Sequence, residues 1–417
     1  MAESTRRDFL KTASAGAAAA ALTAANYRRV QGANDRISIG VIGCGARGYR
    51  ALMPAIAEHA EETNVEITAV CDPWRPRREE AASACKEEWF GREARQFVSY
   101  REVLELDDVD AVVITSCDHQ HTTHLEAAAN AGKDIYVEKP LGMDFDRVKA
   151  ACDAVEENDL VVQVGTQLRS LPGTTGARKL VQEGALGKIS RIEQCRNSSR
   201  PYWYSRLQDA NEEDVDWEEF LMDRPMRPFD PDLFTGWYGY LEFSDGPLPG
   251  LGSHFIDLVH YITGAEYPES AVCLGGVFTW KDDYEFTCPD HVQAQWIYPE
   301  GFMVSYSTNF GNARGNTCKI YGERGVIDLQ GWSNPTISGA GALERDDAAV
   351  EEEQPVEHVE RPNHYLDWLQ CLRTRETPNA SIKAGYQHAA AALMGVKAWE
   401  TGKRQIYDPE RREIREG

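Results

Sequence analysis

Apolar residues follow two different patterns along this chain, and the change between them divides it. In the first part they form compact β-branched blocks at 37–42, 65–71, 96–100, 109–115, 134–138 and 160–168. Unbroken blocks of that length are the signature of strands covered on both faces. Helical patterns fill the gaps, one reaching about residue 90 and one over 122–131. Strand and helix alternating at this rhythm predict a doubly wound parallel sheet with right-handed crossovers, whose ligands lie beyond the carboxyl ends of the strands. In the second part, 188–198, 271–280, 291–298, 303–309, 317–321 and 325–329 are rich in β-branched and aromatic residues and separated by turns such as Pro299-Glu300-Gly301. These read as a meander of strands. Helices are expected at 176–183, 254–262, 363–373 and 384–401. No internal repeat is visible.

Three stretches break the pattern. Residues 200–243 are irregular, Pro-rich and aromatic, and long ordered loops of this kind are usually functional. The faces of Tyr202, Trp203 and Trp217 suit a sugar ring, while an aromatic subunit interface explains them nearly as well. Residues 338–360 form an exposed acidic excursion. At the other end, Arg6-Arg7-Asp8-Phe9-Leu10-Lys11 followed by an Ala-rich stretch resembles a twin-arginine export signal. The expected division is a signal over 1–33, a first domain over 34–158 built on the parallel sheet and a second over 159–417 built on the meander.

Charge narrows the partners. The 44 Lys and Arg against 67 Asp and Glu give a net charge of −23, which repels phosphate backbones and argues against nucleic acid. No apolar run approaches the roughly 20 residues that span a bilayer, so no stable membrane insertion is expected after signal cleavage. The 10 cysteines are scattered singly without a CxxC pair and read as small buried hydrophobes.

The chemistry concentrates at strand ends. Gly43-Cys44-Gly45-Ala46-Arg47-Gly48 follows the first strand as GxGxxG, giving a tight turn, room for a diphosphate and close packing of helix on strand. Asp72 ends the second strand 24 residues beyond Gly48, close to the distance expected of a carboxylate that takes ribose hydroxyls. Lys139 directly follows a buried strand and precedes Pro140, which restricts its backbone. An ammonium held there can ease alkoxide development on a substrate hydroxyl. Cys117, His119, His121 and His124 crowd one turn, yet ligand spacings of the zinc-finger type are absent and no metal is expected.

The strings Gly43–Gly48, Ala131-Gly132-Lys133-Asp134-Ile135-Tyr136-Val137-Glu138-Lys139-Pro140 and Gly252-Ser253-His254-Phe255-Ile256-Asp257 together resemble the glucose–fructose oxidoreductase, inositol dehydrogenase and MocA (Gfo/Idh/MocA) family, over about residues 35–410. The resemblance implies a Rossmann domain followed by an α/β domain on a large, open, mostly antiparallel sheet. It implies a catalytic pair, Lys139 and His254. Gly43, Gly45, Ala46, Arg47 and Gly48 would hold the diphosphate and Asp72 the ribose, with Thr115, Ser116, His121 and Glu138 flanking the cofactor. Gln167 is a candidate for nicotinamide or substrate, and Arg169, Tyr202, Trp203, Trp217 and Asp257 join Lys139 and His254 as candidate substrate contacts.

One departure matters. Many dehydrogenases of the family carry an aspartate four residues before the histidine, and here that position is Gly250. His254 must then be oriented otherwise, by Asp257 or a substrate-loop tyrosine. Relatives that hydrolyse glycosides through transient oxidation look like HGLG where this chain has Pro249-Gly250-Leu251-Gly252. The missing histidine favours net oxidoreduction over that alternative, and a non-catalytic NAD-retaining sugar-binding protein is the third reading. The expected protein is an oxidoreductase of a sugar or polyol, exported by the twin-arginine (Tat) machinery to the periplasm or beyond. NAD is preferred to NADP because Asp72 would repel a 2′-phosphate. A homo-oligomer is expected from the open sheet.

Overall fold

The computed structural model describes residues 35–417, so the 1–33 leader lies outside the described residues. Strands β1 (Ile37–Ile42), β2 (Val65–Cys71), β3 (Arg95–Phe97), β4 (Ala111–Ile114), β5 (Asp134–Val137) and β6 (Val162–Val164) form a parallel sheet in the order β3-β2-β1-β4-β5-β6. The order reverses beside β1, so the crevice for a ligand opens at the carboxyl ends of β1 and β4. Helices α1 (Met53–Glu58), α2 (Arg75–Ala84), α3 (His121–Asn130) and α4 (Phe145–Glu157) connect the strands. Apolar clusters fill both faces, which is why the strand blocks show no alternation. The third strand ends at Phe97 rather than residue 100. Ser99 and Glu102 form a capping box that starts a short helix at Tyr100.

Beyond α5 (Pro172–Gln182) the chain builds a second sheet. Its strands are β7 (Ile189–Asn197), β8 (Ser270–Gly276), β9 (His291–Tyr298), β10 (Phe302–Asn309), β11 (Thr317–Gly322), β12 (Gly325–Asp328), β13 (Thr336–Ser338), β14 (Gln354–Pro355), β15 (Gln405–Asp408) and β16 (Glu413–Glu416). The order is β14-β13-β12-β11-β7-β10-β9-β8-β15-β16. Pairing is antiparallel except between β7 and β10. One face packs against α6 (Pro247–Thr263) and α8 (Ile382–Thr401), while α7 (His364–Thr374) lies on the first sheet. The opposite face leaves Val272, Leu274, Ile297 and Met303 exposed, with Met303 and Ile297 paired across β10 and β9.

Helix α6 starts seven positions before His254, not at it (254 minus 247). Gly246 turns the chain at φ 74°, and Pro247 occupies the first turn, where a missing N–H costs nothing. Most residues of α6 are buried, as expected for a helix apolar all round.

Residues 200–243 contain two short helices, Trp217–Leu221 and Pro231–Thr235, each started by an aspartate side chain accepting backbone N–H groups, Asp216 and Asp230. Their aromatic residues form two clusters of their own.

Candidate active site

The glycine loop divides its labour by packing. A Cβ on Gly43, which sits at φ +97°, would stand 2.5 Å from the Ser116 backbone nitrogen, and one on Gly48 would stand 2.4 Å from the Gly43 carbonyl oxygen. A Cβ on Gly45 would meet nothing within 4 Å. The first and third glycines are therefore closed in by the chain itself, and the second faces open space where a diphosphate can approach the backbone. Asp72 braces this loop: its carboxylate accepts the Cys44 N–H at 2.7 Å and the Trp74 N–H at 2.8 Å. Burial raises the Asp72 carboxyl, opposed by those two N–H groups. Asp72, Trp74, Arg77, Thr115 and Ser116 line the cleft above the loop. Thr115 Oγ1 donates to the Gly43 carbonyl at 2.5 Å, and Ser116 Oγ is 2.9 Å from His124 Nδ1.

At the end of β5, Glu138 is buried in a network. Arg47 Nε donates to its Oε1 at 2.7 Å, Gln167 Nε2 at 2.9 Å and Tyr136 Oη at 3.3 Å. Gln167 thus orients Glu138, and Arg47 joins the glycine loop to the strand carrying Lys139. His121 does not face the cofactor cleft. Its two ring nitrogens lie 2.7 Å and 3.1 Å from the carbonyl oxygens of Pro140 and Ser116, so it ties two strand ends together from behind.

Lys139 Nζ donates to the Gly250 carbonyl at 2.8 Å. Gly250 and His254 are one turn apart on α6, and the charge of Lys139 is felt at His254. Burial pulls the Lys139 ammonium below its ordinary value, against Glu138 and Asp118, which hold it up. Burial, then the charges of Lys139 and Arg47, drives His254 well below the usual histidine range. Its imidazole is neutral. The Nδ1 of His254 is enclosed and has no hydrogen-bond partner among the described residues.

The place of the absent aspartate is filled. A Cβ on Gly250 would stand 2.5 Å from Tyr202 Oη, a buried hydroxyl with no partner of its own. Asp257 is not the partner of His254. It is fully buried and accepts from Arg169 Nε at 2.9 Å and Nη2 at 2.5 Å. Arg169 also donates to the Asn379 carbonyl at 2.9 Å and lies over the Tyr261 ring. Both were candidate substrate contacts, and both are spent on each other beneath α6. Trp217 is likewise withdrawn from the substrate side: its ring stacks on Phe220 at 5.1 Å and its Nε1 donates to the Arg227 carbonyl. Trp203 is 1% exposed, enclosed by Phe286 and Phe310.

Asp118 escaped the sequence reading. It is buried at the end of β4, accepts from Ser244 Oγ at 2.9 Å, and its carboxyl is pushed up to about 6 by burial, with His121 and Lys139 opposing. Its position inside the 115–121 turn was the available signal. Among the described residues no three His, Cys, Asp or Glu side chains form a group able to hold a metal ion. All 10 cysteines are free thiols.

Comparison with known proteins gives the context. Residues 37–166 match the GFO_IDH_MocA model, "Oxidoreductase family, NAD-binding Rossmann fold", and residues 178–406 match its C-terminal alpha/beta domain. Residues 3–23 match a twin-arginine translocation signal, so the chain carries that export signal. A levoglucosan dehydrogenase of Pseudarthrobacter phenanthrenivorans is 26% identical over 302 residues, 71% of this chain and 62% of that protein. The NAD(+)-dependent scyllo-inositol 2-dehydrogenase of Bacillus subtilis is 29% identical over 153 residues, 37% of this chain and 42% of that protein. Each match therefore spans less than two thirds of the relative. Among solved structures, an aldose–aldose oxidoreductase from Caulobacter crescentus superposes with a TM-score of 0.67 at 17% identity, covering 89% of this chain and 99% of that one. That likeness is one of fold.

Proposed function

This chain belongs to the Gfo/Idh/MocA oxidoreductase family, and from that membership we propose that it moves a hydride between a sugar or polyol carbinol carbon and a tightly held NAD. One observation carries the reading: the Lys139 Nζ bond to Gly250 sets the ammonium one turn from His254, beside a glycine loop whose middle member faces open space. In this reading residues 34–158 bind the nucleotide, and 159–417 supply substrate contacts and self-association. When bound, the nicotinamide supplies the hydride acceptor. The residues of the chain handle the proton. Lys139 Nζ donates to the substrate oxygen as negative charge builds on it, and Nε2 of the neutral His254 takes the hydroxyl proton. Asp72 favours NAD. An exported protein meets no nicotinamide pool, so a second sugar or carbonyl compound reoxidises the cofactor in place.

The test is mass spectrometry of nucleotide released on denaturation, followed by a panel of free sugars scored in the reduced-nicotinamide band. NAD in the release and reduction by a free sugar is the expected result. Cleavage of an aryl glycoside without net reduction would replace it with redox-assisted hydrolysis.

Gly45→Ala separates binding from folding. The added methyl meets no protein atom. The melting temperature is expected to stay at the wild-type value while the Kd for NAD rises about tenfold, roughly 1.4 kcal/mol. Unchanged affinity in calorimetric titration would remove the loop from the binding site.

Asp118 gives a pH signature. Its folded value lies above the ordinary carboxylate value, so the folded state favours the protonated form and the ionised form is a cost that grows as pH rises through about 6. Above that pH its charge supports the Lys139 ammonium. The rate is therefore expected to fall as pH drops through about 6, and Asp118→Asn to lose that limb. An unchanged acid limb in the variant assigns it to another group.

The exposed apolar face of the second sheet is the proposed self-association surface. Ile297→Glu with Leu274→Glu is expected to give monomers by light scattering where wild type gives an oligomer. Identical masses would place any interface elsewhere.

A further inference from the structure

The cleft above the glycine loop has a second wall, and it comes from the other half of the chain. Arg206, Leu207, Gln208, Trp237 and Tyr238 face Gly45, Asp72 and Trp74 across it. The segment bearing these residues is fastened to the first sheet along its length. The Asp216 N–H donates to the Pro73 carbonyl at 2.9 Å, and Trp74 and Val215 pair as antiparallel partners. Arg77 Nη2 donates to Gln208 Oε1 at 3.1 Å, Gln120 Nε2 to the Phe220 carbonyl at 3.0 Å, and Ser99 Oγ to Glu219 Oε1 at 2.9 Å. Arg75 pairs with Asp214, and Arg147 reaches Asp223 at 2.6 Å. These ties run from the end of β2 to the start of α4. Held in this way, the segment walls the cleft on the side opposite the glycine loop.

Arg206 stands out in this wall. Its guanidinium makes no hydrogen bond or ion pair with the rest of the described chain, yet its charge is felt at Lys139 and Tyr238. Of the other cations lining the cleft, Arg47 is engaged by Glu138 and Arg77 by Glu80 and Gln208, while Arg50, on the glycine-loop side, is unpaired like Arg206. A dinucleotide brings a diphosphate, and a guanidinium fork matches phosphate oxygens in pairs.

We propose that residues 202–243 are a clasp closed over the nucleotide, and that Arg206 on this clasp is a ligand of its diphosphate, opposite Gly45. The inference rests on the dinucleotide reading above and extends it to a part of the chain outside the first sheet. The clasp must open for nucleotide to exchange. Retention of the cofactor through export is then a property of this segment.

The experiment is release of radiolabelled NAD from the full chain, chased with unlabelled NAD. Arg206→Ala is expected to release at least tenfold faster than wild type. A Trp74→Cys/Val215→Cys variant joins the two partners of this isolated antiparallel bridge, a pairing in which Cβ atoms lie about 4.5–5.5 Å apart, near the range a disulfide spans. Oxidised, it is expected to release at least tenfold slower than the same protein reduced, a comparison in which loss of the tryptophan cancels. Release from Arg206→Ala within twofold of wild type, or equal rates for the oxidised and reduced double variant, overturns the clasp while leaving the dinucleotide reading intact. A wild-type chain that neither retains nor takes up NAD overturns that reading, and the clasp with it.

Discussion

Lys139→Ala is expected to lose at least about 10³-fold in kcat while keeping its nucleotide, a deficit of about 4 kcal/mol in transition-state stabilisation. The expectation comes from geometry. Lys139 Nζ spends its observed bond on the Gly250 carbonyl and makes no contact with the glycine loop, so removing it leaves Gly43, Gly45 and Asp72 as they are. Burial already lowers the ammonium's hold on its proton, and Glu138 and Asp118 offset this, so the charge is kept where it can act on a developing alkoxide. Lys139→Arg is not a rescue, because a planar guanidinium cannot take the place of a compact ammonium. His254→Ala should fall by about 10²- to 10⁴-fold for loss of the proton acceptor. Single-turnover reduction of bound NAD, followed by absorbance, is the measurement. A Lys139→Ala protein that turns over within tenfold of wild type would end the assignment.

Asp257→Ala is expected to destabilise the fold by about 3–5 kcal/mol without touching nucleotide affinity. Arg169 and Asp257 are each almost wholly enclosed, with side chains 8% and 1% exposed, and removing the carboxylate strands a guanidinium with one remaining backbone acceptor. Replacing both, as Arg169→Met with Asp257→Leu, should recover most of the loss, because the penalty belongs to the unpaired charge and not to the pair. Denaturant melts of the single and double variants read this directly. A substrate-binding role for Asp257 would give the opposite profile: normal stability and a raised KM.

The strand blocks and the glycine loop were legible because each is determined locally. Gly48 is demanded by the Gly43 carbonyl five residues before it, a contact that follows from the GxGxxG spacing, and Lys139 is placed by the strand it ends and the proline it precedes. What was not legible is set by partners far along the chain. Asp257 and His254 share a helix three positions apart, which invites a pairing, yet Asp257 is claimed by Arg169, 88 residues away. Trp203 and Trp217 have the composition of a sugar platform, and only the packing of Phe286, Phe310 and Phe220 shows that their faces are already taken. Asp118 went unnoticed for the same reason. Its burial and its contact with Ser244, 126 residues on, are invisible in a row of Cys, Asp, His and Gln.

The tyrosine hydroxyl above Gly250 also constrains how this chain can diverge. An aspartate arriving at position 250 on its own would drive its first side-chain carbon to 2.5 Å from an oxygen whose ring is held edge-on by Trp203, Tyr238 and Phe310. That oxygen is itself buried, so it has little open space to move into. An acid at 250 therefore fits together with a smaller residue at 202, and the two positions are coupled through this one hydroxyl.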